Sequence, residues 1–334
     1  MPDRSDDRPV SGLPAALRLP VLDALRRAGD DSPVRRLEAV KRGAESRALR
    51  LVTRQGAYFL KWSDRLRPGR YLTEVHGLAL LDQTGAVRVP QVLAVRDRGE
   101  DRSEAPEAAG SGDAAGDGGG PAFLLLEWLD RPSGEAFLKR VGAGLGRRVA
   151  ALHACATFWG RAVPGYATDD GLDAPGRWRA SGWEADWVTC YRDRRLGPRV
   201  AAAASAGRLE GARLARLERI LARLDGWLSG VPHRPSLLHG DLHRDNVLCD
   251  RLGTAVLVDP RPSFGDRELE LSYLELYGRL PPAFFAAYRE AWPLPAGYED
   301  RRGLYLLYHF LGAGFGPAAA AANLDVVAHR YAGD

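Results

Sequence analysis

The chain of 334 residues is poor in sulfur and lysine and has no long apolar run. Its three cysteines, Cys155, Cys190 and Cys249, are scattered and never in a Cys-x-x-Cys spacing, so neither a disulfide framework nor a zinc site is indicated. No stretch of about 18 uninterrupted apolar residues exists, which excludes an ordinary membrane-spanning helix. The N-terminal segment alternates charged and apolar residues and lacks a signal-peptide core with a small-residue cleavage site. A soluble, cytoplasmic protein with no membrane partner is the expectation. The formal net charge is only +4 and no block of basic residues occurs, so no nucleic-acid partner is expected either. Of 47 basic residues only Lys41, Lys61 and Lys139 are lysines. Against such an arginine bias, a lysine in a chemically meaningful place carries weight.

What is present is enough apolar residue, 45% of the chain, for one large or two moderate domains with real cores. Apolar residues recur at helical spacing over Leu13 to Ala28 and stop at Gly29-Asp30. Residues 48–53 and 57–62 read as strands flanking Arg54-Gln55-Gly56, followed by a helix over 70–82 and a strand over 87–95. Residues 98–121 are almost wholly Gly, Ala, Ser, Asp, Glu, Arg and Pro, which predicts a disordered hairpin loop before the apolar run 122–126. Helices are then expected near 134–152, 183–194, 201–228, 282–292 and 304–311, with a strand pair around 247–249 and 255–258. A sheet-rich first third and a helical remainder imply an α+β chain of two lobes, 1–130 and 131–334, meeting near Trp128 to Arg131.

The sharpest signal is Leu238-His239-Gly240-Asp241-Leu242-His243-Arg244-Asp245-Asn246, followed by Val256-Leu257-Val258-Asp259-Pro260. Phosphoryl transfer needs a carboxylate to orient the attacking hydroxyl and accept its proton, and oxygen ligands for the magnesium that neutralises the phosphates. A loop that leads into a hairpin can set Asp241 beside the hydroxyl, with Asn246 and Asp259 facing the metal from two sides. A turn and a strand end would each explain half of this pattern, but not the combined spacing. Trp183, Trp187 and Tyr191 share one helical face, which either stacks on a substrate ring or anchors the helix in the core.

The pattern HGDLxxxN, then a strand and DP, resembles the aminoglycoside phosphotransferase and choline kinase superfamily, whose fold is protein-kinase-like. Residues 259–271, DPRPSFGDRELEL, are similar to the DPAxxYGxRExDLA stretch of fructosamine (ketosamine) kinases. Phe158-Trp159-Gly160, Trp183, Arg195-Leu196-Gly197-Pro198 and Tyr305-Leu306-Leu307-Tyr308-His309 resemble further blocks of that family. The likeness covers about Leu37 to Tyr331. It implies an ATP- and magnesium-dependent kinase with a small β-rich lobe and a larger helical one. Lys61 would reach the ATP phosphates and pair with Glu74, which shares a helix face with Leu78 and Leu81. A loop at Gly43 to Ser46 would close over the phosphates, and the main chain of Glu127, Trp128 and Leu129 would receive adenine. His243 stands where the family usually has tryptophan, so it either faces the acceptor or packs against the loop.

The implied acceptor is a ketosamine, small or protein-bound. The alternatives are an aminoglycoside or amino alcohol, or a catalytically inactive ATP-binding module, although Lys61, Asp241, Asn246 and Asp259 all remain. Residues 164–183 lack the family's asparagine-containing segment and Arg199 replaces its glutamine, which weighs against protein-bound fructosamine. The acids Asp169, Asp170, Asp173, Glu184 and Asp186 either line a pocket for a cationic amine or are solvated surface.

Overall fold

A computed structural model describes residues 13–40, 47–63, 69–97, 121–130, 135–158, 161–163, 165–167, 172–173, 177–178, 183–312 and 317–332. Helix α1 (Ala15–Arg27) forms as its spacing predicts and buries Leu17, Val21, Ala24 and Leu25. Five antiparallel strands follow, β1 (Arg36–Ala39), β2 (Arg47–Val52), β3 (Ala57–Ser63), β4 (Val92–Arg96) and β5 (Ala122–Glu127), in the order β1-β2-β3-β5-β4. Strand alternation divides the sheet's two faces. Phe123 and Leu125 of β5 join Leu51, Leu60 and the apolar side of α1, while Leu124 and Leu126 face the core that α2 (Arg70–Gln83) enters through Tyr71, Leu78 and Leu81. β4 and β5 are neighbours, but the composition-biased segment between them lies outside the described residues.

The remainder is mostly helical. It comprises α3 (Glu135–Ala154), the two-residue pairs β6 (Thr157–Phe158) with β7 (Arg161–Ala162) and β8 (Leu172–Asp173) with β9 (Arg177–Trp178), then α4 (Trp187–Thr189), α5 (Gly197–Ser205) and α6 (Gly211–Leu228). The strands β10 (Ser236–Leu238), β11 (Val247–Cys249), β12 (Ala255–Leu257) and β13 (Ser263–Gly265) carry the site, and α7 (Arg267–Tyr277), α8 (Pro282–Ala291), α9 (Tyr298–Phe310) and α10 (Pro317–Ala332) complete the chain. β11 pairs with β12 and β10 with β13, both antiparallel. Among the described residues no helix is long and apolar enough to cross a membrane.

Three expected elements differ for local reasons. The helix expected over 183–194 begins only at Trp187, because the Asp186 carboxylate caps it by accepting from the Thr189 N–H at 2.7 Å. It then widens into a π-helix over Cys190–Leu196, where the Gly197 N–H donates to the carbonyl of Arg192. Pro198 comes next and has no N–H to offer Arg194, so the wider turn carries the chain into α5. The single helix expected over 201–228 is two helices, α5 ending in a turn at Gly207, whose φ is 66°. The strand expected over 87–95 starts only at Val92, since the carbonyl of Arg88 instead accepts from the Leu257 N–H at 2.9 Å and so joins the sheet region to β12.

Candidate active site

In β3, Leu60 and Trp62 pack under α1, so Lys61 points to the opposite face, toward α2. It is buried there, and a buried ammonium requires counter-charges. Nζ contacts the Glu74 carboxylate of α2 and lies 3.3 Å from Oδ1 of Asp259, just beyond β12. The spacing that put Glu74 on the apolar face of its helix thus has its physical outcome in this pair. α2 also packs directly on the segment after Asp259: a Cβ on Gly77 would meet Pro262 at 2.9 Å and Pro260 at 3.0 Å.

β10 delivers the turn His239-Gly240-Asp241, which is held from two sides. On one side the Arg261 N–H donates to the His239 carbonyl at 2.8 Å. On the other, the buried Glu270 carboxylate of α7 accepts from the N–H of His239 at 3.1 Å and of Gly240 at 2.6 Å. His153 of α3, fully buried, places Nε2 2.8 Å from the same carboxylate and Nδ1 2.8 Å from the Tyr288 hydroxyl. Burial by itself raises the Glu270 pKa, but the hydrogen bond and charge of His153, with the Gly240 amide, hold it below the ordinary carboxylate value. Burial also depresses the His239 imidazole to about 4, so it is neutral.

Gly240 has φ 80°, and an added Cβ would lie 1.7 Å from the carbonyl oxygen of Arg261. Gly240→Ala therefore cannot keep the turn. The expected loss is about 1–3 kcal/mol of stability by chemical denaturation, with a parallel fall in turnover. A variant of wild-type stability and rate would show that the turn relaxes freely.

Asp241 sits, part-buried, at the end of this turn. Burial pushes its pKa above the ordinary aspartate value and Asp259 and Glu270 add to the effect, while Arg261 and His243 act in the opposite direction. Arg261 Nε lies 3.9 Å from one of its oxygens and His243 Nε2 3.9 Å from the other. Asn246, buried immediately before β11, donates from Nδ2 to the Asp241 carbonyl at 2.8 Å, which leaves its Oδ1 as the atom for a cation. The Val258 N–H donates to the Asn246 carbonyl at 3.1 Å, so Asn246 and Asp259 occupy adjacent strand ends. Asp259 adopts φ 53°, a left-handed conformation costly for a residue with a side chain and recurrent at functional sites. One carboxylate and one amide oxygen form a hard donor set that suits magnesium sharing its remaining positions with phosphates and water.

The linker after β5 is more committed than expected. The N–H groups of Glu127 and Trp128 donate to the carbonyls of Gln91 and Ala57, so neither is open to a base. The Glu127 carboxylate pairs bidentately with Arg88 at 2.8 and 3.0 Å and accepts from the Gln91 N–H. The Trp128 ring lies under Arg50 and its indole N–H donates to Asp130. Leu129 packs on Val256 and Val258, and Asp130 exchanges main-chain hydrogen bonds with Cys249. Gly43 and Ser46 of the expected phosphate loop lie outside the described residues.

Trp187 is corrected from the expected substrate surface to the core. It is 1% exposed, donates its indole N–H to the Tyr305 hydroxyl at 3.0 Å and stacks on Tyr191, itself fully buried. The helix face shared by these rings points inward because an indole of that size is most stable buried with its N–H partnered. Trp183 is half-buried against Phe264 of β13. His243 Nδ1 accepts from the Asp245 N–H at 3.2 Å while Nε2 faces Asp241, so it braces the loop and borders Asp241. Of the five acids considered for a cation pocket, the side chains of Asp169, Asp170 and Asp173 are outside the described set, Asp186 caps α4 and Glu184 lies 3.7 Å from Arg194. Sequence reasoning assigned no role to Glu270, His153 or Arg88. The available signal for Glu270 was a carboxylate between Leu269 and Leu271 on a helix buried on nearly every side.

A lysine–glutamate pair under an antiparallel sheet, facing an aspartate–asparagine–aspartate set on a helical body, defines a phosphotransferase of protein-kinase-like fold. Within that class the chain belongs to the fructosamine kinase family, whose model matches residues 23–318. It is 31% identical to a probable ketoamine kinase of Lactiplantibacillus plantarum over 85% of this chain and 92% of that one. A solved structure from Thermobifida fusca, a candidate fructosamine-3-kinase, superposes with a TM-score of 0.71 at 25% identity, covering 97% of this chain and all of that one. A thermostable mutant of the aminoglycoside phosphotransferase APH(4)-Ia, in a ternary complex with ADP and hygromycin B, shares the fold at a TM-score of 0.59 and 16% identity over 96% of this chain and 100% of that one.

Proposed function

We propose that this protein transfers the γ-phosphate of ATP to a hydroxyl of a ketosamine, in a magnesium-dependent reaction. The observation that carries the reading is the meeting of Lys61, Glu74 and Asp259 across the two parts of the fold, beside Asn246 and Asp241. Lys61 would hold the phosphates, Asn246 and Asp259 would hold the metal, and the Leu129 main chain would receive adenine, since the two preceding N–H groups are engaged. Bound magnesium would neutralise the phosphate oxygens. Asp241 orients the acceptor hydroxyl and takes its proton as the hydroxyl oxygen bonds to the γ-phosphorus. The bond from that phosphorus to the β,γ-bridging oxygen breaks and ADP leaves. Family membership supports the ketosamine as acceptor.

Calorimetry and a coupled ADP-release assay with a synthetic ketosamine test this reading. ATP with magnesium should bind and raise the melting temperature, and ADP release should require the acceptor. Absence of both binding heat and thermal shift at millimolar nucleotide would refute the kinase reading.

A further inference from the structure

Resting on the ketosamine kinase reading, we propose that Arg261 recognises an anionic group on the acceptor, a carboxylate or a phosphate, carried close to the hydroxyl that is phosphorylated. Arg261 is presented rigidly. Pro260 and Pro262 flank it and pack against α2 at Gly77, its own N–H donates to His239, and its carbonyl lies against Gly240. Its side chain is nevertheless 56% exposed, whereas that of Lys61 is 6% exposed and Asn246 is buried. Lys61 and Asn246 are thus closed off from solvent, Asp259 is partly so, and Arg261 presents its guanidinium to solvent beside Asp241.

The guanidinium is close to the base without being consumed by it. At 3.9 Å, Nε is beyond hydrogen-bond distance of Asp241, and among the described residues the only ion pair Arg261 makes is this one. A planar fork of N–H donors therefore remains for a ligand, in the geometry that suits carboxylate or phosphate. The other charges bordering Asp241 do not alter the sign. His243 faces its second oxygen, the Glu270 charge is taken by two amides and His153, and Asp245 pairs with Arg279. In a ketosamine an anionic group can come from either end: the carboxylate of an amino acid whose amine was glycated, or a phosphate on the sugar. A neutral acceptor would leave the fork without a partner.

The test compares kcat/KM for three acceptors in the full-length protein: fructosyl-methylamine, fructosyl-glycine, and fructosyl-methylamine bearing a phosphate on the sugar's terminal carbon. The wild type should prefer at least one anionic acceptor to the neutral one, and the identity of that acceptor decides between carboxylate and phosphate. Arg261→Gln should lower that preference ratio roughly 10- to 100-fold, mostly through KM, and Arg261→Lys should restore it in part. Because any change in the Asp241 proton affinity acts on all acceptors alike, it cancels in the ratio. The proposal is overturned if the wild type shows no anionic preference, or if Arg261→Gln slows all three acceptors equally, which would assign the arginine to the transferred phosphoryl group. Failure to phosphorylate any of the three would sink the ketosamine reading itself, and this proposal with it.

Discussion

Replacing Asp241 by asparagine should lower turnover by roughly 10² or more while ATP affinity changes little, because the group proposed as the base is removed and its shape retained. Asp241 forms no ion pair with Lys61, and its link to Asn246 runs through its own carbonyl, which the substitution preserves. Asp259→Asn should behave differently. Asp259 lies 3.3 Å from Lys61 and faces the expected metal position, so that variant should weaken magnesium-dependent nucleotide binding together with turnover. Steady-state kinetics and nucleotide titrations on both variants decide between the roles. Equal loss of ATP affinity in both would mean that Asp241 is a metal ligand. The raised pKa of Asp241 adds a pH signature: with burial as the main cause, the acid limb of kcat/KM should lie above the ordinary aspartate value. An acid limb at or below that value would contradict burial as the dominant influence on Asp241.

The sequence made most of the candidate site's spatial grouping legible, for a physical reason. Asp241, Asn246 and Asp259 lie on one short loop and the hairpin after it, so sequence spacing maps almost directly onto space. Lys61 and Glu74 were legible because strand exit and helix periodicity both turn them to the same side. What spacing could not supply were groups brought in from distant parts of the chain. Glu270 and His153 meet across 117 residues, and Arg88 finds Glu127 and the carbonyl partner Leu257 only when the sheet docks on β12. The direction of an aromatic face was likewise open. Trp187 and Tyr191 fit a stacking surface by periodicity, and only the position of Tyr305 on α9 decides that they face the core. The short strands β10 and β13 carry too few residues to show a period, although they fix where His239 begins.

Glu270→Ala should be the most destabilising of these substitutions, at about 3–5 kcal/mol, because it removes the one charged acceptor from a buried cluster. The amides of His239 and Gly240 and the His153 imidazole would be left in the interior with that acceptor gone. Glu270→Gln keeps the volume and separates charge from shape through pH. The folded pKa of Glu270 is below the ordinary carboxylate value, so its contribution is complete above that value and is lost as pH falls through the folded pKa, where the unfolded chain binds the extra proton. His239 and His309, both depressed to about 4 by burial, act over a higher window. The unfolded imidazoles take up protons from about 6.5 downward, so stability already declines between there and about 4. Denaturant titrations across pH should therefore show two acid steps in the wild type. Glu270→Gln should shrink the lower step to what the depressed Asp30, Asp186 and Asp325 carboxylates contribute, retain the upper one and turn over more slowly, since the amides that lead into Asp241 are held less firmly. If both steps survive undiminished at wild-type stability, Glu270 is not the anchor of the Asp241 turn, and its rigidity would have to come from the hydrogen bonds of Arg261 and Asn246.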